Sequence, residues 1–67
     1  MTHAELTVQK SAAHTIAQLI VVESELDRKA RDPHREQAER NQYILLAREA
    51  RDVKRRMEKF LRNLGEL

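Results

Sequence analysis

Residues 43–64 read YILLAREARDVKRRMEKFLRNL. Apolar side chains recur in this stretch at alternating steps of three and four residues, which is the a and d pattern of a coiled-coil seam. The predicted seam on this helix consists of Tyr43, Leu46, Ala50, Val53, Met57, Phe60 and Leu64. Because apolar residues at heptad spacing are usually buried, the pattern predicts a helix that packs against another helix. We assign no catalytic or cofactor-binding role to these residues.

The residues before this stretch predict a first helix of similar length. Thr2 and Glu5 have the Thr-x-x-Glu spacing of a capping box, in which each side chain satisfies a backbone N–H group at a helix start. No glycine or proline follows until Asp32-Pro33, and proline disfavours helical geometry in the residue before it. The first helix is therefore predicted over about residues 3–31.

The same dipeptide can start a second helix, because an aspartate is a good N-cap and proline suits the first helical position. The sequence predicts a turn at residues 32–33 and a second helix over about residues 34–64, with Gly65 at its C-terminal cap. Ala38 is the only apolar residue in residues 34–42, so this segment could be either helix or loop. A connection this short makes the two helices antiparallel neighbours.

Composition fits one small all-α domain over residues 1–67, a coiled-coil-like antiparallel hairpin that could also self-associate. Charged residues make up 36% of the chain and aromatic residues 3%, with one glycine and one proline. The absence of cysteine excludes disulfides and thiolate metal sites. A chain of 67 residues buries little core, so stabilisation from association is expected. With no long apolar run and no secretory signal at the N-terminus, we expect a cytoplasmic protein without membrane insertion.

A tight turn at residues 32–33 would fix which side chains face each other. The resulting seam pairs Leu6 with Phe60, Ala13 with Val53, Ile16 with Ala50 and Ile20 with Leu46, and it places Glu23 near Tyr43. Small residues face large ones at several levels, which allows close packing of the two helices.

Helix 1 has more apolar surface than this pairing uses. A second stripe, displaced around the helix, consists of Val8, Ala12, Thr15, Leu19, Val22 and Leu26. Exposed apolar patches on small proteins usually mark interaction sites, and anchors at i, i+3, i+4 and i+7 suit a helix laid into a groove. We predict that this stripe binds a protein partner, or pairs with a second copy when the chain is isolated. The alternative is that helix 1 rotates and partly buries both stripes.

Residues for catalysis or for cofactor binding are not evident. His3, His14 and His34 are too far apart for a local metal site, and one glycine cannot build a phosphate-binding loop. A helical hairpin also offers no dry, concave pocket that would shift a carboxylate pKa toward catalysis. We therefore expect neither an enzyme nor a bound metal or cofactor.

The second helix is rich in basic residues, which raises a nucleic-acid function as an alternative. Its basic residues are Arg48, Arg51, Lys54, Arg55, Arg56, Lys59 and Arg62. Acidic residues are interspersed, and Asp52 with Arg56 and Glu58 with Arg62 have the spacing of ordinary surface ion pairs, so a solvated helix face explains the charges more simply. The alternative is a homodimeric four-helix bundle, like the plasmid copy-number regulator Rop, that binds RNA or DNA through this basic face.

The second helix also resembles that of a known family. The residues that carry the resemblance are Gln42-Tyr43, Leu46, Arg48-Glu49, Ala50, Val53, Met57 and Phe60. In these residues the chain resembles the second helix of the YscE/SsaE co-chaperones of bacterial type III secretion. The total length, the Met-Thr start and the polar break before Gln42 are also similar to that family. The stretch from Lys54 to Arg62 departs from the family in being more basic.

The resemblance implies a helical hairpin that binds and stabilises a larger, tetratricopeptide-like chaperone in the bacterial cytoplasm. Through that chaperone it would help keep the needle subunit soluble before export. A protein that binds only a folded partner stabilises that partner by mass action, so direct contact with the needle subunit is not required.

Overall fold

Two long helices packed side by side and joined by a short connection make up the fold. In the computed structural model, which describes residues 2–66, α1 spans His3–Ala30 and α2 spans Gln37–Gly65. The two helices run antiparallel and form a rod of about 50 × 14 × 11 Å. No strand occurs within residues 2–66, so the predicted all-α hairpin is confirmed.

The start of α1 has the capping box that the sequence predicts. The backbone N–H of Glu5 donates to Thr2 Oγ1 at 3.2 Å, and the backbone N–H of Thr2 donates to Glu5 Oε2 at 3.1 Å. These bonds satisfy donors that have no partner within the helix, and Glu5 also places negative charge near the positive end of the helix dipole.

The connection between the helices is longer than the predicted two-residue turn. Asp32 does not cap α2. Its carboxylate accepts from the backbone N–H of His34 at 2.9 Å, and its carbonyl accepts from the backbone N–H of Arg35 at 3.2 Å. These bonds form a turn with Pro33 at its second position, where the fixed φ of proline fits. Helix α2 begins only at Gln37, after Glu36 as its N-cap, so residues 31–36 form the connection.

The C-terminal end differs from the prediction by one residue. Gly65 is the last helical residue of α2, Glu66 is the C-cap, and no glycine within residues 2–66 has positive φ. The left-handed glycine cap therefore does not occur here.

Three alanines are the only buried residues among those that the structure describes. Ala12, Ala47 and Ala50 are 3%, 2% and 8% exposed. Around them, the buried and half-buried positions at heptad spacing form the observed seam, which is Gln9, Ala12, Ile16, Leu19, Glu23, Leu26 and Ala30 on α1 and Arg40, Tyr43, Ala47, Ala50, Lys54, Met57, Leu61 and Leu64 on α2. Small side chains at the centre of a seam let two helix axes approach closely, which stabilises the pair through dispersion contacts.

The observed seam corrects the predicted one. Ile16, Tyr43, Ala50, Met57 and Leu64 do lie in it, but Leu6, Ala13, Ile20, Leu46, Val53 and Phe60 are exposed. On α2 two rows of residues give the same alternation of three and four, one with Leu46 and one with Ala47. The structure buries the row with Ala47, which brings Lys54 within reach of Glu23, so each helix is rotated relative to the prediction.

The pairing along the hairpin is also shifted. Glu23 was predicted near Tyr43, but it contacts Arg51 and Lys54, about two turns further along α2. The later start of α2 accounts for the shift, because a longer connection moves every α2 residue toward the C-terminal end of α1, where Tyr43 lies beside Lys29.

Adjacent alanines of α1 test this seam. We expect Ala12→Leu to lower the free energy of unfolding by about 1–3 kcal/mol, because a larger side chain at a closely packed position forces the helices apart. Ala13→Leu, one residue along and exposed, should change it by less than about 0.5 kcal/mol. Urea unfolding followed by circular dichroism measures both, and equal effects would contradict the observed seam.

Candidate protein-binding surface

One side of the hairpin carries a continuous row of exposed apolar side chains. In an antiparallel pair, the positions that flank the seam on one side of α1 lie beside the corresponding positions of α2. On this side the flanking residues are Val8, Thr15 and Val22 from α1 and Leu46, Val53 and Phe60 from α2, and we call these six the apolar stripe. The five apolar members are between 41% and 46% exposed.

The two helices contribute to the apolar stripe alternately. Glu23 contacts Arg51 and Lys54, and Lys29 contacts Tyr43, which fixes the level of one helix against the other. At these levels the order along the rod is Val8, Phe60, Thr15, Val53, Val22 and Leu46. The result is one unbroken surface about 30 Å long.

Thr15 does not interrupt this surface. Its hydroxyl donates to the carbonyl of Ser11 at 3.0 Å, so the hydroxyl is satisfied within α1 and needs no partner from outside. The outer border of the stripe is polar, and it includes Gln18 and Glu25 on α1 and Glu49 and Arg56 on α2. An apolar centre with a polar rim is the usual anatomy of a protein interface.

The opposite side of the hairpin is less continuous. Leu6, Ala13 and Ile20 flank the seam on α1, but Arg51 and Glu58 interrupt the corresponding row on α2. Ile44, with Asn41, Leu45 and Arg48, lines an open depression on that side. The depression is shallow and faces water, so it offers no dry environment for chemistry.

Glu23 is a charged residue inside the seam. Its carboxylate accepts from Arg51 Nε at 2.8 Å and from Lys54 Nζ at 3.3 Å, and its side chain is only 15% exposed. The Arg51 guanidinium, helped by Lys54, lowers the pKa of the Glu23 carboxyl, against the opposing effect of desolvation. A polar group at a seam position is satisfied only in one register, so this cluster selects the alignment of the helices.

A second cluster closes the end of the hairpin near the connection. Lys29 Nζ lies 5.5 Å and the Arg35 guanidinium 5.2 Å from the centre of the Tyr43 ring. Arg35 also donates to Glu39 Oε1 at 2.7 Å, and the Tyr43 hydroxyl donates to the same oxygen at 3.4 Å. These contacts hold residues 31–36 against the first turns of α2.

The residues predicted to bind a partner divide between the two environments. Val8, Thr15 and Val22 lie on the apolar stripe, where they are available to a partner. Ala12, Leu19 and Leu26 lie in the seam, so their assignment to an exposed surface was wrong. Leu46, Val53 and Phe60 were predicted to be internal, and the structure places them on the stripe.

Among residues 2–66 the ion pairs differ from the i,i+4 pairs that the sequence of α2 predicts. The pairs of Asp52 with Arg56 and of Glu58 with Arg62 are not formed in this part of the chain. Pairs form instead near the connection and across the seam. The basic residues Arg48, Arg55 and Arg62, each seven residues apart, consequently face water along α2.

Within residues 2–66 no three acidic or histidine side chains come close enough together to hold a metal ion. In the same part of the chain, neither helix combines the length and apolar character needed to cross a membrane.

Comparison of the chain with protein-family models, curated proteins and solved structures gave no match.

The Glu23 cluster predicts a pH-dependent stability. Because the folded state lowers the pKa of this carboxyl, its contribution is present above the ordinary value of about 4.3 and is lost as pH falls through the folded value. We therefore expect Glu23→Gln to reduce the free energy of unfolding near pH 7, with the difference from wild type shrinking toward about pH 3. Urea titrations at both pH values measure this.

Asp52→Asn is the matched control, since Asp52 is exposed and makes no ion pair within residues 2–66. It should change stability little at either pH. A Glu23→Gln effect of equal size at both pH values would show that the carboxylate charge does not stabilise the hairpin.

Proposed function

We propose that this chain is a protein-binding module whose apolar stripe packs against a helical surface of a larger partner. The observation that carries the proposal is the continuity of the stripe, with five large apolar side chains in one row and no charge between them. Such a row on a small monomer is typical of an interface.

The shape of the surface specifies the kind of partner. The stripe lies along the groove between α1 and α2, so an amphipathic helix placed there would contact both helices along its length. Covering the rest of each half-exposed valine, leucine or phenylalanine contributes roughly 1 kcal/mol. Five such side chains contribute roughly 5 kcal/mol together, and a specific complex also requires complementary contacts at the polar rim.

In its specific form, the proposal is a co-chaperone of type III secretion that binds a tetratricopeptide-like chaperone and, through it, supports the needle subunit. This rests on the resemblance of α2 to the YscE/SsaE co-chaperones. Arrays of tetratricopeptide repeats consist of stacked helix pairs, which present the helical surface that the apolar stripe requires. The hairpin is compatible with this role, and Arg56 on the border of the apolar stripe predicts an acidic residue on the partner's rim.

Neighbouring valines of α1 provide the test. Val22 lies on the apolar stripe, whereas Val21 is 62% exposed on the outer face of the same helix. With the tagged chain as bait in its native cell, we expect Val22→Asp to weaken capture of the partner at least tenfold, since an aspartate would be buried in an apolar interface. Val21→Asp should bind as the wild type does, and mass spectrometry identifies the captured proteins.

The outcomes separate the general proposal from the specific one. Capture of a helical-repeat chaperone together with a small needle subunit supports the co-chaperone role. Capture of another helical protein, sensitive to Val22→Asp alone, supports only the binding module. Equal capture of the partner by Val21→Asp and Val22→Asp would show that the stripe is not the interface.

A second candidate function is nucleic-acid binding by the basic face of α2. The observation that favours it is the exposed row of Arg48, Arg55 and Arg62, which makes no ion pair within residues 2–66. Each phosphate contacted contributes about one unit to the salt dependence of binding. This candidate does not use the apolar stripe.

Salt titration of RNA and duplex DNA binding tests it. If the row contacts phosphates, Arg55→Gln should reduce the slope of log affinity against log salt by about one unit. Lys59→Gln removes the same charge outside the row and should leave the slope unchanged. Absence of any complex at low salt would exclude this candidate.

A further inference from the structure

The hairpin exposes more surface than a monomeric protein of its mass usually does. Its accessible surface is 5320 Å² for a mass of 7.9 kDa. Folded monomers of that mass expose roughly 4,400 Å². The excess of about 900 Å² is close to the area of about 800 Å² that each partner contributes to a standard protein interface.

The sequence along α2 is symmetric about Val53 on the face that carries the apolar stripe. Leu46 and Phe60 lie seven residues to either side of Val53. Glu49 and Arg56, on the adjoining rim, lie at nearly equal distances from it and carry opposite charges. Val53 is also close to the middle of α2, which spans Gln37–Gly65.

Such symmetry is what a two-fold interface requires, because residue i must face residue j while j faces i. If two α2 helices pack antiparallel with Val53 at the axis, Leu46 faces Phe60 of the second copy. Glu49 then faces Arg56 of the second copy, and both contacts occur twice. Since the axis lies near mid-helix, the two hairpins overlap along almost their whole length.

We propose that the apolar stripe binds a second copy of this chain, forming an antiparallel four-helix bundle with its two-fold axis at Val53. This inference does not depend on the proposed function. The connecting turns at residues 31–36 then lie at opposite ends of the bundle.

The rim charges disfavour the other two-fold arrangement, in which both turns lie at the same end. That arrangement packs α2 against α1 of the second copy at equal levels along the rod. Because Glu23 contacts Arg51 and Lys54, and Lys29 contacts Tyr43, Glu25 lies at about the level of Glu49. Two like-charged pairs would face each other, which disfavours the arrangement.

Charge reversal on the rim tests the proposal. Sedimentation equilibrium over a range of concentrations should show a dimer of the wild-type chain. Glu49→Arg and Arg56→Glu should each raise the dissociation constant about tenfold, because two ion pairs are lost and like charges replace them. The double variant should return it to within about threefold of wild type, because the pairs are restored in reverse.

Asp52→Arg and Lys59→Glu are the matched controls. They make the same charge changes on the outer face of α2, away from the apolar stripe, and should leave the dissociation constant unchanged. Nitroxide labels on His34→Cys give the orientation, and the chain has no other cysteine. Turns at opposite ends should place the two labels about as far apart as the hairpin's 50 Å length, whereas turns at one end would place them much closer.

A wild-type chain that stays monomeric at every soluble concentration would overturn the proposal. So would a dimer with its turns at one end, or a dimer that the rim variants do not weaken. Failure of the dimer would leave the proposed complex with another protein standing, because the Val21 and Val22 variants measure that capture separately.

Discussion

Glu23 determines how the two helices align. A carboxylate inside a helix–helix seam is costly unless charged donors reach it, and Arg51 and Lys54 do so from one face of α2. Both donors are available only if Lys54 lies in the seam with its aliphatic stem packed between the helices. That rotation brings Ala47 and Ala50 to the centre and turns Leu46, Val53 and Phe60 outward. The ion-pair cluster thus explains why large apolar side chains remain exposed while alanines are buried.

The alanine centre has a further consequence for stability. Three alanines bury little apolar area, and Ile16, Leu19 and Leu26 are only half-buried in the seam. The stability of such a hairpin comes mainly from helix propensity, the capping box and the close approach of the two backbones, each of which contributes modestly. A surface that can be covered by a partner therefore matters to the folded state as well as to function, because binding to the folded chain stabilises it by mass action.

Sequence reasoning predicted the helices, the capping box and the antiparallel hairpin, because these depend on local signals such as Thr2, Glu5 and Pro33. It did not predict the rotation of either helix. Rows with Leu46 or Ala47 on α2, and with Leu6 or Ala12 on α1, satisfy the same heptad spacing. On α2 hydrophobicity alone favours the row that is in fact exposed, and on α1 it does not distinguish the two rows. The choice depends on Glu23 meeting Arg51 and Lys54, a contact between residues far apart in the chain. One sequence signal did indicate an exposed apolar surface. Each helix has apolar residues at three or more heptad positions, which is more than a two-helix seam can bury.

The apolar stripe can hold only one occupant at a time. A second copy and a larger helical partner would compete for Val22, Val53 and their neighbours, so the proposed dimer would store the chain with this surface covered until a partner binds. The outcome of this competition depends on the concentrations of the chain and of the partner. Each dimer contains two copies of the chain, whereas each partner complex contains one. Rim charge adds discrimination. A partner that places acidic groups near Arg56 and basic groups near Glu49 reproduces the contacts of the dimer, and it then displaces the second copy without leaving either charge unpaired.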